Sequence, residues 1–416
     1  MRAWLCGLLA ASVATGWLGR PISLRAEAQS PAIRVVFTRS NNVAMMNLDG
    51  GNVSAVTTRG TAPNAATPIT YRSYAWSPDG KYLLLVKDVG GRSSPGTLTL
   101  FLLDRQGHVI RTLATGLPDS VDFYPGWAMD TDQIAFIARQ QQASNRPHNV
   151  VQRVDVAGHR AAAWTYNSQG EGCGGGTGIP AEAALWAETG FGDRLPTLQW
   201  SLGGNLAVYS PSCAGGIAVT NLRTGRTRDF GIGTGYTWTE GALAPSGRLA
   251  VSVRTNSPTS TTASSRIVLV NPYSGKVTVQ VGTGEHPHWT AGGRTLVYVL
   301  RKPDRILHMT DRNGNHLDDT VYATSIWQAD ANGTHPRRLV TMDAYGTGVP
   351  TATADGRTLV FSRVDNDWKL WQHRGPRNVV STVAANNPMV RIQRLDLPSG
   401  KLRTLQSNAG RPAVQP

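Results

Sequence analysis

The chain is poor in charge, in cysteine and in long apolar stretches. Of its 416 residues only 16% are charged, three are cysteines and six are lysines. After residue 30 no apolar run is long enough to cross a bilayer, so no transmembrane segment is expected in the mature chain. The 45 glycines and 24 prolines indicate a turn-rich globular protein and argue against an all-helical one.

The cations are almost all arginine, and they are scattered along the chain. The formal net charge is +14, yet no run of Lys or Arg exceeds two residues. Nucleic-acid-binding proteins usually gather their charge in a stripe or a tail, so we do not expect nucleic acid as a partner. The positive excess instead supports one functional hypothesis, the electrostatic binding of anionic cell-envelope polymers.

Residues 1–28 have the composition of an export signal peptide. Arg2 supplies a basic start, residues 3–19 are apolar, and residues 26–28 read Ala-Glu-Ala, a small-residue cleavage site. An uncleaved anchor is the alternative, because the apolar stretch is at the lower limit for spanning a bilayer. We expect cleavage and a mature chain that begins near Gln29, carries a charge of +12, and is periplasmic, cell-surface or secreted.

Export leaves two cysteines in the mature chain, Cys173 and Cys213. An even number in an oxidising compartment favours a disulfide, with two free thiols as the alternative. Closing this 40-residue loop would stabilise the fold by about 4 kcal/mol, because the unfolded chain would lose entropy. The spacing of the two cysteines excludes a zinc knuckle.

One sequence unit recurs six times. Each copy has an extended segment, a tight turn centred on Asp-Gly or its equivalent, and then a strand of apolar residues. The anchor residues that start the copies are Trp76, Trp127, Trp200, Leu243, Trp289 and Ala352. Because glycine accepts the positive φ of such a turn and Asp or Ser can hydrogen-bond the local backbone, each copy predicts a β-hairpin.

A second marker follows each copy: an apolar strand ends in Asp or Asn, and a Gly comes two to four residues later. The seven instances are Asp49…Gly51, Asp104…Gly107, Asp155…Gly158, Asn221…Gly225, Asn271…Gly275, Asp330…Gly333 and Asp396…Gly400. The first instance has no anchor before it, and residues 412–416 match the anchor strands in register. This pattern predicts a ring closed by strands from both termini.

Seven units over the mature chain predict an all-β protein, a β-propeller with seven blades, or with six as the alternative. Residues 29–416 are expected to form this single domain. The spacing between anchors is long in two places, which predicts insertions near 170–196 and 303–320. A β-sandwich would not repeat the second marker seven times, and a solenoid would lack the matching ends.

The segment from Trp76 through Ser-Pro-Asp-Gly-Lys81 and the apolar strand after it resembles the TolB-like, WD40-like repeat of bacterial exported β-propellers. The resemblance covers essentially the whole mature chain. In that family the repeats build a scaffold and carry no catalytic group, which implies an exported, non-catalytic binding module. We expect a monomer whose partner is another protein or a cell-envelope ligand.

A stretch within the second insertion has regularly spaced oxygen-bearing residues. Carboxylate, amide and carbonyl oxygens around a glycine that turns the chain are suited to Ca²⁺, and the stretch looks similar to the calcium loops of thrombospondin-type and dockerin-type repeats. The candidate ligands are Asp311, Asn313, Asn315, Leu317 through its carbonyl, and Asp319, with Asp318 as a substitute. A polar hairpin tip without an ion is the alternative, and in both cases the role is structural.

In propellers the residues just before the innermost strand line one opening of the central channel. By register the repeat places there Arg72, Tyr124, Glu240, Glu285, His286 and His288. Two histidines two residues apart on a strand face the same side, so a shared metal is feasible, and so is an acidic ligand. This group supports the second functional hypothesis, a metal-dependent, lyase-like carbohydrate-active enzyme. An ordinary start of a blade is the alternative.

Overall fold

The computed structural model describes residues 32–61, 65–91, 94–118, 125–128, 132–141, 147–166, 198–200, 206–209, 217–221, 224, 226–230, 236–255, 265–310, 316–342, 350–364, 370–374, 380–384 and 390–415. For some strand residues, including 303–310 and 316–322, only the backbone is described. The proposed signal peptide and both Cys173 and Cys213 lie outside the described residues. In the part that is described, no helix has the length and apolar character to cross a membrane.

Within these residues the chain forms thirty β-strands. The first fifteen are β1 (Arg34–Arg39), β2 (Asn42–Asn47), β3 (Ser54–Ala55), β4 (Ile69–Trp76), β5 (Tyr82–Gly91), β6 (Ser94–Asp104), β7 (Val109–Pro118), β8 (Gly126–Trp127), β9 (Gln133–Gln141), β10 (Pro147–Asp155), β11 (Arg160–Tyr166), β12 (Leu198–Trp200), β13 (Leu206–Tyr209), β14 (Ile217–Asn221) and β15 (Arg226–Phe230). The others are β16 (Tyr236–Leu243), β17 (Leu249–Thr255), β18 (Ser265–Val270), β19 (Val277–Thr283), β20 (Glu285–Thr290), β21 (Thr295–Thr310), β22 (His316–Asp330), β23 (Arg337–Met342), β24 (Thr351–Ala352), β25 (Thr358–Val364), β26 (Leu370–Arg374), β27 (Val380–Ala384), β28 (Val390–Asp396), β29 (Lys401–Ser407) and β30 (Gly410–Val414). A 3-10 turn, Ala291–Gly293, follows β20.

Twenty-eight of the described strands form seven four-stranded antiparallel sheets. Sheets 2 to 6 each take four consecutive strands: β4–β7, β8–β11, β12–β15, β16–β19 and β20–β23. Sheet 7 contains β24, β25, β28 and β29, and β26 pairs with β27 as a separate hairpin. Sheet 1 has the order β30-β1-β2-β3, so the last described strand is hydrogen-bonded to the first.

Each sheet packs against the next one along the chain, and sheet 7 packs against sheet 1. We call the strand at the start of each sheet's order its first strand: β30, β4, β8, β12, β16, β20 and β24. Each first strand contacts the first strands of the two neighbouring sheets, in this same cyclic order. The hydrophobic core lies between the sheets: for example, Val36 and Met45 of sheet 1 cluster with Tyr71 and Leu83 of sheet 2. The architecture is therefore all-β, and four-stranded sheets packed side by side in sequence are consistent with a β-propeller.

The repeated tryptophan links its sheet to the preceding one. Its indole Nε1 donates a hydrogen bond to the carbonyl of the residue just before the preceding sheet's anchor position. Among the anchors whose side chains are described, the pairs are Trp76 with Ala413 at 3.2 Å, Trp127 with Ala75 at 3.0 Å, and Trp289 with Ala242 at 2.9 Å. All three indoles are buried, so the anchor combines a large apolar contact with a satisfied polar group.

The first turn of the repeat forms the predicted hairpin. In sheet 2 the Ser77 hydroxyl donates to the Asp79 carboxylate at 2.7 Å and accepts from the Tyr82 amide at 2.9 Å. Gly80 then takes a φ of +67° and donates its amide to the Ser77 carbonyl. The turn is thus specified by neighbouring residues alone, which explains why it could be recognised in the sequence.

The glycine of the second marker makes a contact between sheets as well as a turn. At Gly275 φ is +72°, and a Cβ would overlap the ring of Phe230 in the preceding sheet. The same arrangement brings the Cβ position of Gly333 to 2.9 Å from Val281 and that of Gly158 to 3.2 Å from Arg111. Gly400 has a similar φ, +67°, but nothing lies within 4 Å of its Cβ position.

This difference gives a matched test of the inter-sheet contact. Gly275→Ala and Gly400→Ala should each lower the free energy of unfolding by about 1 kcal/mol, because alanine is strained at positive φ. Only Gly275→Ala must also displace Phe230, which should add roughly 1–3 kcal/mol of overpacking. Urea unfolding followed by tryptophan fluorescence measures both losses. Equal losses would mean that the glycine serves the turn alone.

The second predicted insertion extends two strands. β21 and β22 have 16 and 15 residues, and residues 303–310 of β21 pair with residues 316–322 of β22. In the proposed calcium loop, Asp311, Asn313 and Asn315 lie outside the described residues, and the backbone of Leu317 and Asp319 belongs to β22. The other insertion, near 170–196, also lies outside them. Sequence analysis did not identify the β26–β27 hairpin.

Candidate functional site

The candidate site lies at one end of the first strands. It consists of the part of each first strand that precedes the anchor residue. Of the six residues that the sequence places there, Glu285, His286 and His288 are described in full, and all three belong to β20. The backbone of Arg72 lies in β4 and that of Glu240 in β16. The side chains of these two residues and the whole of Tyr124 lie outside the description.

A β-bulge interrupts the pairing of four first strands just before the anchor. The register shifts across Arg72 in β4, Thr239 in β16, His286-Pro287 in β20 and Arg411-Pro412 in β30. A bulge re-aims side chains and is frequent at the rim of a barrel or next to a site. Its recurrence at one height in four sheets therefore marks this end of the first strands.

His286 and Arg411 occupy the same bulge position, three residues before the anchor place and immediately before a proline. Their φ values are +53° and +54°, a left-handed conformation that costs energy in any residue other than glycine. The surroundings hold Arg411: its amide donates to the Ser362 hydroxyl at 3.0 Å, and the Tyr74 hydroxyl donates to its carbonyl. Sequence reasoning missed Arg411, although the dipeptide Arg-Pro, at the spacing of His286-Pro287, was a usable signal.

Glu285 and Arg301 form a two-pronged ion pair beside this bulge. Arg301 Nη2 donates to Glu285 Oε2 at 2.7 Å, and Arg301 Nε donates to Oε1. The two side chains are only 12% and 20% exposed. Burial raises the pKa of Glu285, but the hydrogen bonds and charge of Arg301, helped by the charges of His286 and Arg254, outweigh it and hold the pKa below its ordinary value. The carboxylate is therefore ionised and fixes the orientation of Arg301.

Arg254 gives this cluster an excess of positive charge. Arg254 and Arg301 occupy equivalent positions in neighbouring sheets. Each lies five residues after the leucine that pairs with the anchor: Leu249 pairs with Leu243, and Leu296 pairs with Trp289. Arg254 is exposed, and no ion pair of it is found among the described residues. Among the side chains that the structure describes here, one carboxylate thus faces two guanidinium groups and an imidazole, which favours the binding of an anion.

His288 has a different environment from His286. Burial lowers its pKa to about 4, so the ring is neutral at pH 7. It stands at the position that is alanine in sheets 1, 2 and 5, where that alanine faces the tryptophan of the next sheet. The anchor of the next sheet, sheet 7, is Ala352 rather than tryptophan. In this sheet pair the position before the anchor is therefore larger, and the facing anchor is smaller. This exchange of volume favours a packing role for His288.

The bulge also bears on the predicted metal. It falls between Glu285 and His288 and interrupts the alternation from which His286 and His288 were placed on one side of the strand. Among the residues whose side chains are described, no three His, Cys, Asp or Glu are close enough to share an ion. A metal held by both histidines stays a prediction.

The lowered pKa of His288 predicts a specific pH dependence. The unfolded chain binds a proton at His288 below about pH 6.5, whereas the native state does so only near pH 4, so stability should fall as the pH drops through this window. Between pH 7 and pH 4 we expect the free energy of unfolding to fall by roughly 3 kcal/mol, and His288→Gln should remove this loss. Urea unfolding between pH 7 and pH 4 measures it, and an identical profile in His288→Gln would refute the assignment.

No protein-family model matches the chain, and no curated protein sequence matches it. Solved structures do resemble it. A protein from Bacteroides uniformis assigned as a 6-phosphogluconolactonase has a TM-score of 0.51 at 12% identity, over 92% of this chain and 100% of that one. At this identity the likeness concerns the fold alone, and it supports a propeller fold.

Two further structures resemble the chain with lower scores. The periplasmic gluconolactonase of Pseudomonas aeruginosa has a TM-score of 0.48 at 13% identity, over 92% of this chain and 99% of that one. TolB from Acinetobacter baumannii has a TM-score of 0.42 at 16% identity, over 76% of this chain and 64% of that one.

Proposed function

We propose that the chain is an exported, seven-bladed TolB-like β-propeller that binds an acidic partner at the bulged ends of its first strands and catalyses no reaction. Each of the seven sheets is one blade in this proposal. The cyclic contacts of the first strands support it, and so does sheet 1, which combines β30 with β1. The signal-like residues 1–28 are the basis for export.

The cluster of Glu285, Arg301 and Arg254 carries the binding proposal. The Glu285–Arg301 ion pair is partly buried and has two hydrogen bonds, so a ligand would meet Arg301 already oriented. Arg254 is exposed beside it and supplies the positive charge that Glu285 does not neutralise. The ligand class is therefore a carboxylated or sulfated polymer, or an acidic protein surface, in the cell envelope.

A lyase-like carbohydrate-active enzyme is the second candidate. One observation favours it: His286 has a left-handed φ beside the Glu285–Arg301 pair, and backbone strain of this kind clusters at functional sites. A structural calcium ion at Asp311–Asp319 and a Cys173–Cys213 disulfide are part of our proposal on sequence grounds alone.

A binding assay separates the two functions. Polygalacturonate and dextran sulfate serve as anionic polymers, and plain dextran serves as the neutral control. We expect the mature protein to bind both anionic polymers, and Arg254→Gln to weaken the binding roughly tenfold, about 1.4 kcal/mol. Arg338, exposed on the outer strand β23, is the matched cation: Arg338→Gln should bind like the wild type.

The products decide between binding and catalysis. A binding scaffold leaves polygalacturonate intact, whereas a lyase generates unsaturated uronate ends that absorb in the ultraviolet. Cleavage that disappears in His286→Ala would replace the scaffold proposal by the enzyme. Equal losses in Arg254→Gln and Arg338→Gln would show that only net charge matters and would refute the site.

Ring closure has its own test at Gln415. The Arg34 amide donates to the Gln415 side-chain oxygen at 3.1 Å, and the side-chain nitrogen donates to the Gly80 carbonyl at 2.5 Å. Gln415→Ala leaves two largely buried backbone groups without these partners, so we expect a loss of about 2 kcal/mol. If the ring is closed, all sheets unfold together, and Gln415→Ala lowers the midpoint of the main urea transition. In an open arc only the ends fray, and the main transition stays where it is. Gln406→Ala in the outer strand β29 is the control.

A further inference from the structure

Two segments of the chain read Asn-x-Ser or Asn-x-Thr without an intervening proline, the acceptor pattern for N-linked glycans in exported proteins. They begin at Asn52 and at Asn332. Asn52 lies between β2 and β3 of sheet 1, and Asn332 lies between β22 and β23 of sheet 6, so both belong to the turn that carries the second marker. Both asparagines are exposed at the surface.

The side chain of Asn332 is held through its oxygen. Asn332 Oδ1 accepts a hydrogen bond from the Thr334 hydroxyl at 2.7 Å and another from the Thr334 amide at 3.1 Å. Among the residues whose side chains are described, none is hydrogen-bonded to Asn332 Nδ2. The local hydrogen bonds therefore fix the amide group and leave its nitrogen, the atom that receives a glycan, available at the surface.

The turn around Asn332 is anchored on its inner side by sheet 5. Arg248 Nη1 donates a hydrogen bond to the Ala331 carbonyl at 2.8 Å. The Cβ position of Gly333 lies 2.9 Å from Val281, so the backbone of the turn rests directly on the neighbouring sheet. Because these contacts hold the inner side, Asn332 is presented outward by a turn of defined conformation.

The segment at Asn52 lacks two of these features. In the described part of the chain no hydrogen bond joins Asn52 to Ser54. Two residues before Asn52 stands Gly50, whereas Asp330 stands two residues before Asn332, with its side chain 55% exposed. An acidic residue at that place is a further feature of the sequences that bacterial oligosaccharyltransferases modify. The two segments thus form a matched pair.

We propose that Asn332 is the acceptor of an N-linked glycan and that Asn52 is not. The co-reactant is a polyprenyl diphosphate-linked oligosaccharide, and an envelope oligosaccharyltransferase is the catalyst. Asn332 Nδ2 forms a bond to the anomeric carbon, and the bond from that carbon to the phosphate oxygen breaks. The polyprenyl diphosphate leaves with the electron pair, and a base of the transferase takes the proton from Nδ2. This inference rests on the export that we propose above, because the transfer takes place outside the cytoplasm.

The glycan would lie far from the proposed anion site. In sheet 6 Asp330 pairs with Thr295, and Arg301 lies six residues further along the same strand, β21. Six residues of a strand span about 20 Å, so the turn and the cationic cluster are at opposite ends of the sheet. Glycosylation should therefore leave polymer binding unchanged.

Transfer to the purified mature protein tests the proposal. The protein is incubated with a bacterial oligosaccharyltransferase and a polyprenyl diphosphate-linked oligosaccharide, and its tryptic peptides are analysed by mass spectrometry. We expect the peptide with Asn332 to gain the mass of one oligosaccharide less one water, and the peptide with Asn52 to stay unmodified. Asn332→Gln and Thr334→Val should abolish the gain, whereas Thr334→Ser and Asn52→Gln should retain it. Unchanged urea transitions exclude a folding defect in these variants.

A synthetic peptide of residues 326–338 is the unfolded reference. Transfer to neither peptide nor protein, transfer to the peptide alone, or equal modification of Asn52 and Asn332 would each overturn the proposal. In protein isolated from its own cells, an unmodified Asn332 in a chain that begins near Gln29 would do the same, since that chain has been exported. A glycosylated protein that binds no anionic polymer would instead refute only the proposed function.

Discussion

The packing of each sheet against its neighbours is the constraint on which the rest of the structure depends. A four-stranded sheet has two apolar faces, and one sheet alone leaves both in water. Here each face is covered by the adjacent sheet, and the cores alternate with the sheets, as between sheets 1 and 2 and between sheets 5 and 6. Trp289 shows how this packing stays specific, because its indole reaches one defined carbonyl across the boundary. The sheets are therefore stable only as a set.

That requirement explains where the candidate site lies. The middle of every first strand is committed to packing, so a polar constellation can form only where the strands end. The bulges at His286 and Arg411 interrupt the ladder at that height, and the proline that follows each of them has no amide N–H to donate to it. Glu285 and Arg301 fix each other through their two hydrogen bonds, so the guanidinium at this end of the strands already has a defined orientation.

Features that depend on adjacent residues could be read from the sequence, and features that depend on distant ones could not. The hairpin turn at Asp79-Gly80 rests on local hydrogen bonds, and the anchor tryptophans mark the repeat wherever they occur. The need for glycine at position 275 comes from Phe230, which lies in another sheet. The partner of Glu285 was also hidden, because Arg301 is 16 residues away and only the register of β20 with β21 brings them together. The β26–β27 hairpin was missed because the sequence that connects its strands, residues 375–379, contains neither of the two turn markers of the repeat.

The pairing of β1 with β30 has a consequence for the order in which the chain acquires structure. Arg34 and Gln415 are hydrogen-bonded across a separation of 381 residues, the kind of non-local contact that slows folding. During synthesis, β1 would lack this partner until the last strand is made, whereas sheets 2 to 6 assemble from neighbouring segments. Until then one edge of β1, a run of Val35, Val36 and Phe37, would stay without its partner and open to mispairing with another chain.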